Sequence, residues 1–212
     1  MTHCLRPRLS LLAIAFLMGG SACVTFAVAA ASPATLRVQV VDASGMPVRD
    51  AVVELRPAKA IGGAVRFPWK MGMAQKNRQF VPGTLIVAKG STVAFPNLDN
   101  VRHSIYSFSK AARFTIDLYG RDQTRTQTFN VTGNIKLGCN IHDDMRGYIR
   151  VTDTPYAAKT DHNGYAVLTG MAGGNASLTV WHPMLRTPTG EARSAITITG
   201  GAQSHKQAVS LR

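Results

Sequence analysis

Cys139-Asn140-Ile141-His142-Asp143-Asp144-Met145 sets a thiol, an imidazole and a thioether at the spacing Cys-x2-His-x2-Met. Thiolate and thioether are soft donors, and imidazole is borderline. Three of them in one short loop suit copper better than any hard cation. A copper electron-transfer centre also needs a second imidazole from elsewhere in the chain. The run Phe95-Pro96-Asn97-Leu98-Asp99-Asn100-Val101-Arg102-His103 ends on one, beside a strand-like segment. Two histidines and a cysteine as strong ligands, with a methionine as weak axial ligand, make up the blue-copper set. The competing reading is a buried, inert cysteine, a common fate of a free thiol. That reading leaves His142 and Met145 at ligand spacing, and His103 upstream, without explanation.

Residues 1–31 read as an export signal. Arg6 and Arg8 form a positive start, Leu9 to Met18 a short apolar stretch, and Ala27-Val28-Ala29 or Ala29-Ala30-Ala31 a cleavage site. The apolar stretch is too short to span a membrane. A lipid anchor on Cys23 is the alternative, disfavoured because Gly20-Ser21-Ala22 lacks a large aliphatic residue. Cleavage leaves about 180 residues, enough for one or two domains, in a periplasm or outside the cell. Of the three cysteines, Cys4 and Cys23 leave with the signal, so Cys139 stands alone. It has no internal disulfide partner, and a lone thiol in an oxidising compartment is a liability unless a metal holds it.

The formal charge is +13, of which Arg6 and Arg8 supply two, leaving +11 after cleavage. Excess positive charge favours acidic partners or anionic surfaces. Nucleic acid is disfavoured, because the basic residues are scattered and no recognition-helix pattern is present. An enzyme is not expected either: the chain has no His-x-His set for a trinuclear copper cluster and no catalytic-triad arrangement.

The elements that must position these donors read as short β-strands. Leu36 to Val41 alternates apolar and polar residues, and Asp42-Ala43-Ser44-Gly45 then turns. Similar runs recur from Ala51 to Leu55, through the middle of the chain, and on to Gln207–Leu211, with Gly, Pro, Asn and Asp between them. Only 111–114 and 140–145 have the makings of a helical turn. Regular short strands with turn signals predict an all-β, Greek-key sandwich.

Residues 72–153 resemble the cupredoxins, the plastocyanin and amicyanin kind of blue-copper domain. The resemblance is carried by Phe80-Val81-Pro82-Gly83-Thr84-Leu85-Ile86-Val87, by Lys89-Gly90-Ser91-Thr92-Val93-Ala94-Phe95-Pro96-Asn97, and by Gly138-Cys139 through Met145 with Gly147-Tyr148-Ile149-Arg150-Val151. The short ligand loop is similar to that of amicyanin. The runs at Asn77, Arg102, Tyr106 and Asn140-Ile141 are similar to exported plastocyanin-like proteins often labelled methylamine utilisation proteins. The flanks tell a second story. Leu36 to Asp42, Gly45-Met46-Pro47, Asp50 to Leu55, Asp161-His162-Asn163-Gly164-Tyr165 and Gly174 to Trp181 resemble carboxypeptidase-regulatory or transthyretin-like sandwiches. On that reading 32–71 and 154–212 are two parts of one sandwich that the copper domain interrupts; the alternative is one copper domain with β extensions.

The resemblance implies one type 1 copper bound by His103, Cys139 and His142, with Met145 axial. It implies that Asn97 hydrogen-bonds near the ligand loop and holds it closed, and that Ser104 sits beside the thiolate as a hydrogen-bond donor, where plastocyanins usually have Asn. His142 would present its ring edge to solvent as the electron port, with Asp143 and Asp144 on the rim. The implied role is a periplasmic one-electron carrier, serving a redox partner such as a c-type cytochrome or an oxidoreductase and not itself an integral membrane protein. Copper storage or delivery without redox turnover is the alternative. Weaker signals read as structural: His182 after Trp181, His162 in a turn, and Met71 and Met73 as core filler rather than thioether ligands.

Overall fold

The computed structural model describes residue 1 and residues 33–212; the expected signal, with Cys4 and Cys23, lies outside the described residues. Among the described residues every regular element is a strand. In chain order these are β1 Ala34–Val41, β2 Val52–Pro57, β3 Ala74–Lys76, β4 Gln79–Val81, β5 Thr84–Ala88, β6 Ser91–Pro96, β7 His103–Ser109 and β8 Ala112–Tyr119. There follow β9 Thr124–Phe129, β10 Gly133–Cys139, β11 His142–Thr152, β12 Ala157–Lys159, β13 Tyr165–Met171, β14 Gly174–Trp181, β15 Glu191–Ile198 and β16 Ala202–Ala208. The segments open to a helical turn contain none. Ala112 begins β8, and Asn140-Ile141 is a two-residue turn between β10 and β11. Pairing of β8 with β7, and of β11 with β10, overrides local preference there.

The pairing sorts the strands into two sets. The first comes from the two ends of the chain. β1 lies between antiparallel β13 and parallel β16, and β2 lies between β12 and β14, with β15 beyond β14. In β1, Leu36, Val38 and Val40 are buried while Arg37 is exposed, the period of two expected of a strand with one face on a core. These side chains meet Val53, Leu55, Leu168, Leu178 and Val180 in one aliphatic cluster. Two matching turns frame it. Asp42 Oδ1 accepts the N–H groups of Ser44 and Met46, each at 2.9 Å. Asp161 Oδ1 accepts those of Asn163 and Tyr165 at 2.9 and 2.8 Å. Gly164 is required in the second turn: its φ is +75°, and a Cβ there would stand 2.4 Å from the Val40 carbonyl oxygen.

The second set is β3 to β11, which pair only among themselves. One sheet runs β5-β11-β10-β7-β8. Facing it are the pairs β6-β9 and β3-β4, linked by bridges from Gly72 to Ala94 and from Gln75 to Asn97. Phe80, Phe95, Tyr119, Phe129, Leu137 and Ile149 fill the space between, with Met73 fully buried among them and Met71 packed against the edge.

Arg150 on β11 joins the two sets. It is buried, yet its Nε and Nη2 donate to the two Glu54 oxygens at 2.8 and 2.5 Å, and its Nη1 donates to Glu191 and Asn134, each at 2.6 Å. Burial works against the charge, but hydrogen bonds and attraction from the two carboxylates hold the guanidinium above its ordinary pKa. A buried cation is tolerated only when paired in this way. Among the described residues no helix is long and apolar enough to cross a membrane.

Candidate metal centre

β10 and β11 form a hairpin whose register breaks where the chemistry lies. Cys139 pairs with His142, but Gly138 pairs with Arg146. Asp143, Asp144 and Met145 therefore have no opposite residue, and this bulge frees the loop from strict in-and-out alternation. Asp143 and Asp144 are exposed, while Met145 is buried in the same apolar cluster as Cys139. Gly138 allows the Tyr106 ring of β7 to lie against the strand beside the thiol, since a Cβ there would fall 2.5 Å from Tyr106 Cζ.

β7 supplies the other imidazole. His103 opens that strand and is wholly buried; Cys139 is 3% exposed, and His142 is partly open to solvent. The Nδ1 atoms of His103 and His142 each lie 3.7 Å from Cys139 Sγ. All three donor atoms fall within 4.8 Å of one another, and the two rings are tilted by 53° with centroids 4.8 Å apart. Bonds of about 2.0 Å to nitrogen and about 2.3 Å to sulfur, opened to about 120°, separate N and S by about 3.7 Å. Both nitrogen–sulfur separations thus have the span that one metal ion shared by imidazole and thiolate would set, and the donor set, two imidazoles and one thiol, suits copper.

Asn97 is fully buried, but it braces the histidine side of the site rather than the Cys139–Met145 loop. Its Nδ2 donates to the carbonyls of Val101 and Tyr119 at 2.9 and 3.0 Å, and its Oδ1 accepts the Asp99 N–H at 2.9 Å. The reason is its place at the end of β6, against the end of β8. Ser104 does meet the ligand loop, through its backbone: its Oγ accepts the Asn140 N–H at 3.1 Å. Ser104 Oγ thus holds the loop backbone at Asn140 rather than serving in the expected role of donor to the thiolate.

Sequence reasoning missed Asp99. Its Oδ2 lies 2.8 Å from His103 Nε2 and accepts the Arg78 N–H at 2.9 Å, while its Oδ1 accepts the Asn77 N–H at 2.6 Å. Burial opposes its ionisation, but these hydrogen bonds outweigh that and hold the carboxyl below its ordinary pKa. The one available signal was an acidic residue four positions before the ligand histidine. His142 is pushed below the usual histidine pKa, first by burial and then by the charges of His103 and Arg78, against the opposing pull of Asp99. His182 Nδ1 accepts the Met184 N–H at 3.2 Å, and His162 lies in the exposed turn beside Asn163, so both are engaged in local turns.

No protein-family model matches the chain, and no curated protein matches it. Solved structures do. A copper-containing nitrite reductase from Thermus scotoductus SA-01 is similar at 25% identity and a TM-score of 0.38, over 47% of this chain and 26% of its own. A reduced Cu(I) form of an amicyanin variant is similar at 21% identity and a TM-score of 0.36, over 45% of this chain and 88% of its own. A purple cupredoxin from Nitrosopumilus maritimus is similar at 22% identity and a TM-score of 0.35, over 38% of this chain and 98% of its own. The chain therefore spans about a quarter of the nitrite reductase, and each of these likenesses covers less than half of this chain.

Proposed function

We propose that this chain binds one type 1 copper through His103, Cys139 and His142, with Met145 as axial ligand, and serves as a one-electron carrier. The observation that carries this reading is the pair of Nδ1 atoms, each 3.7 Å from the sulfur of a buried, unpaired thiol. When bound, copper supplies single-electron chemistry by alternating between Cu(I) and Cu(II). The protein's part is to hold the donors still. His103 opens a strand paired on both sides, between β10 and β8, and Cys139 closes the neighbouring strand. The apolar cluster around Cys139 and Met145 keeps water away from the sulfur atoms. His142 is the ligand open to solvent, which suits it as the electron port, and Asp143 and Asp144 beside it suit a cationic partner face on a c-type cytochrome or an oxidoreductase.

Storage or delivery would call for an exchangeable site, whereas two of the three strong donors are buried. The pairing of β1 with β13 and β16, and of β2 with β14, supports reading 72–153 as a copper unit set between the two parts, 32–71 and 154–212, of a second sandwich. A periplasmic setting rests on the amino-terminal signal in the sequence. The visible spectrum of the Cu(II)-loaded protein tests the whole reading. An intense thiolate-to-copper band, blue or green, is expected; a colourless protein that takes zinc in preference would overturn it.

A further inference from the structure

We infer that Asp99 is a positioning residue for the metal centre: it fixes the proton of His103 on Nε2, leaves Nδ1 free for the metal, and lowers the reduction potential of the bound copper. This rests on the copper reading above.

A neutral imidazole carries one proton, and the hydrogen bond made by one ring nitrogen decides which of the two holds it. The groups around Asp99 leave little choice. Its two oxygens already face backbone N–H groups, Asn77 at 2.6 Å on one and Arg78 at 2.9 Å on the other. A carboxylate so engaged accepts; it does not donate. At 2.8 Å, His103 Nε2 must then supply the hydrogen, and Nδ1, 3.7 Å from Cys139 Sγ, keeps its lone pair.

The carboxylate is itself held in place. Asn77 and Arg78 form the two-residue turn between β3 and β4 with φ of +55° and +57°. Two left-handed residues at such a turn match the twist of a hairpin, but side chains other than glycine are strained there. The two amides that the turn projects end on Asp99, which offsets the strain and clamps the acid between the hairpin tip and the ring. His103 is fully buried and the Asp99 side chain is 11% exposed, so their hydrogen bond is sheltered from water and strengthened. A carboxylate acceptor increases the electron density of the ring and makes Nδ1 a better donor to Cu(II) than to Cu(I). Among the described residues His142 makes no such bond to a carboxylate, so the two histidines differ: one is locked and the other is free to face solvent.

The test uses the whole chain in two states. In the 15N-labelled, metal-free protein, at a pH where the ring is neutral, long-range proton–nitrogen spectra should find His103 protonated on Nε2. In Asp99→Asn the preference for that tautomer should weaken about tenfold, and the copper-loaded variant should favour Cu(I) by a further factor of about ten, a rise of about 59 mV, with its thiolate absorption retained. Protonation of wild-type His103 on Nδ1 would overturn the inference. So would a variant with wild-type tautomer and potential, which would leave Asp99 as an anchor for the hairpin alone. If the variant does not fold, the wild-type tautomer decides. A wild-type protein lacking the copper absorption would instead defeat the copper reading, and the metal-free spectra would still judge the tautomer assignment.

Discussion

The core formed by the outer strands is built from Leu36, Val38, Val53, Leu55, Leu168, Leu178 and Val180, and its fully buried members are all aliphatic or Met171. The core of the middle strands holds Phe80, Phe95, Tyr119 and Phe129, and with them Cys139 and Met145. Buried polar groups differ as well. Around the middle core lie Gln75, Asn97, His103, Ser104 and Ser107, whereas the threonines beside the outer strands, such as Thr154 and Thr160, serve turns and strand ends. An aliphatic core gains stability from area and fit, and neighbouring residues can exchange volume at modest cost. A core that must expose donor atoms to a metal buries polar groups, and each then needs a partner. Asn97 meets this with three hydrogen bonds, and the Tyr119 hydroxyl with bonds to Gln75 and to the Phe95 carbonyl. Burial raises the Tyr119 pKa well above the ordinary tyrosine value, so the phenol stays a donor in this role.

Five variants probe this division of labour. Cys139→Ser should have the largest effect: complete loss of the visible thiolate band, with far-UV circular dichroism unchanged. Leu178→Ala is its mirror, since Leu178 is 1% exposed in the outer core. It should cost about 2–5 kcal/mol in urea unfolding and leave the spectrum of the folded, copper-loaded protein unaltered. A spectral change in the Leu178 variant would mean that the two cores are not separable in function.

Arg150→Ala addresses the joint between them. It leaves Glu54 buried and uncompensated, while Glu191 keeps Arg193 as its partner, and a buried carboxylate stripped of its partner costs about 3–5 kcal/mol. In the wild type the loss of copper colour and the loss of sheet signal on heating should coincide. In the variant they should separate, the colour and the circular dichroism giving different midpoints. Coincident melting in the variant would show that apolar contact such as Tyr148 against Trp181, rather than the ion network, couples the two sets of strands.

Met145→Leu acts within the middle core alone. Removing a weak donor to Cu(II) while keeping volume should leave copper bound and raise the potential by about 59 mV, one tenfold step, in voltammetry. Loss of the metal would make Met145 a primary ligand. The smallest effect belongs to the rim. Asp143→Asn with Asp144→Asn should slow electron transfer to a basic cytochrome on the order of a few-fold at low salt and much less at high salt, with the copper spectrum preserved. An unchanged rate at low salt would remove this loop from the docking face, and the charge of Arg78 near His142 would become the feature to examine.

Local chemistry was legible in the sequence. Donor types and spacing in 139–145, the alternation of β1, and the two aspartate turns each depend on residues within a few positions of one another, where chain connectivity alone limits the geometry. The pairing of the chain's ends could be anticipated only through resemblance, because strands at Leu36 and Leu168 carry no mark naming their partner. What tertiary structure alone decided are contacts between distant residues. Glu54 and Arg150 are separated by 96 positions, and nothing in either strand signals a buried ion pair. Asn97 turned toward Tyr119 because β6 and β8 end side by side. Asp99 became the partner of His103 because a hairpin 22 positions earlier aimed its amides at the same carboxylate. A hydrogen bond is short and directional, so its partner is set by where folding brings the backbone and not by the residue type alone.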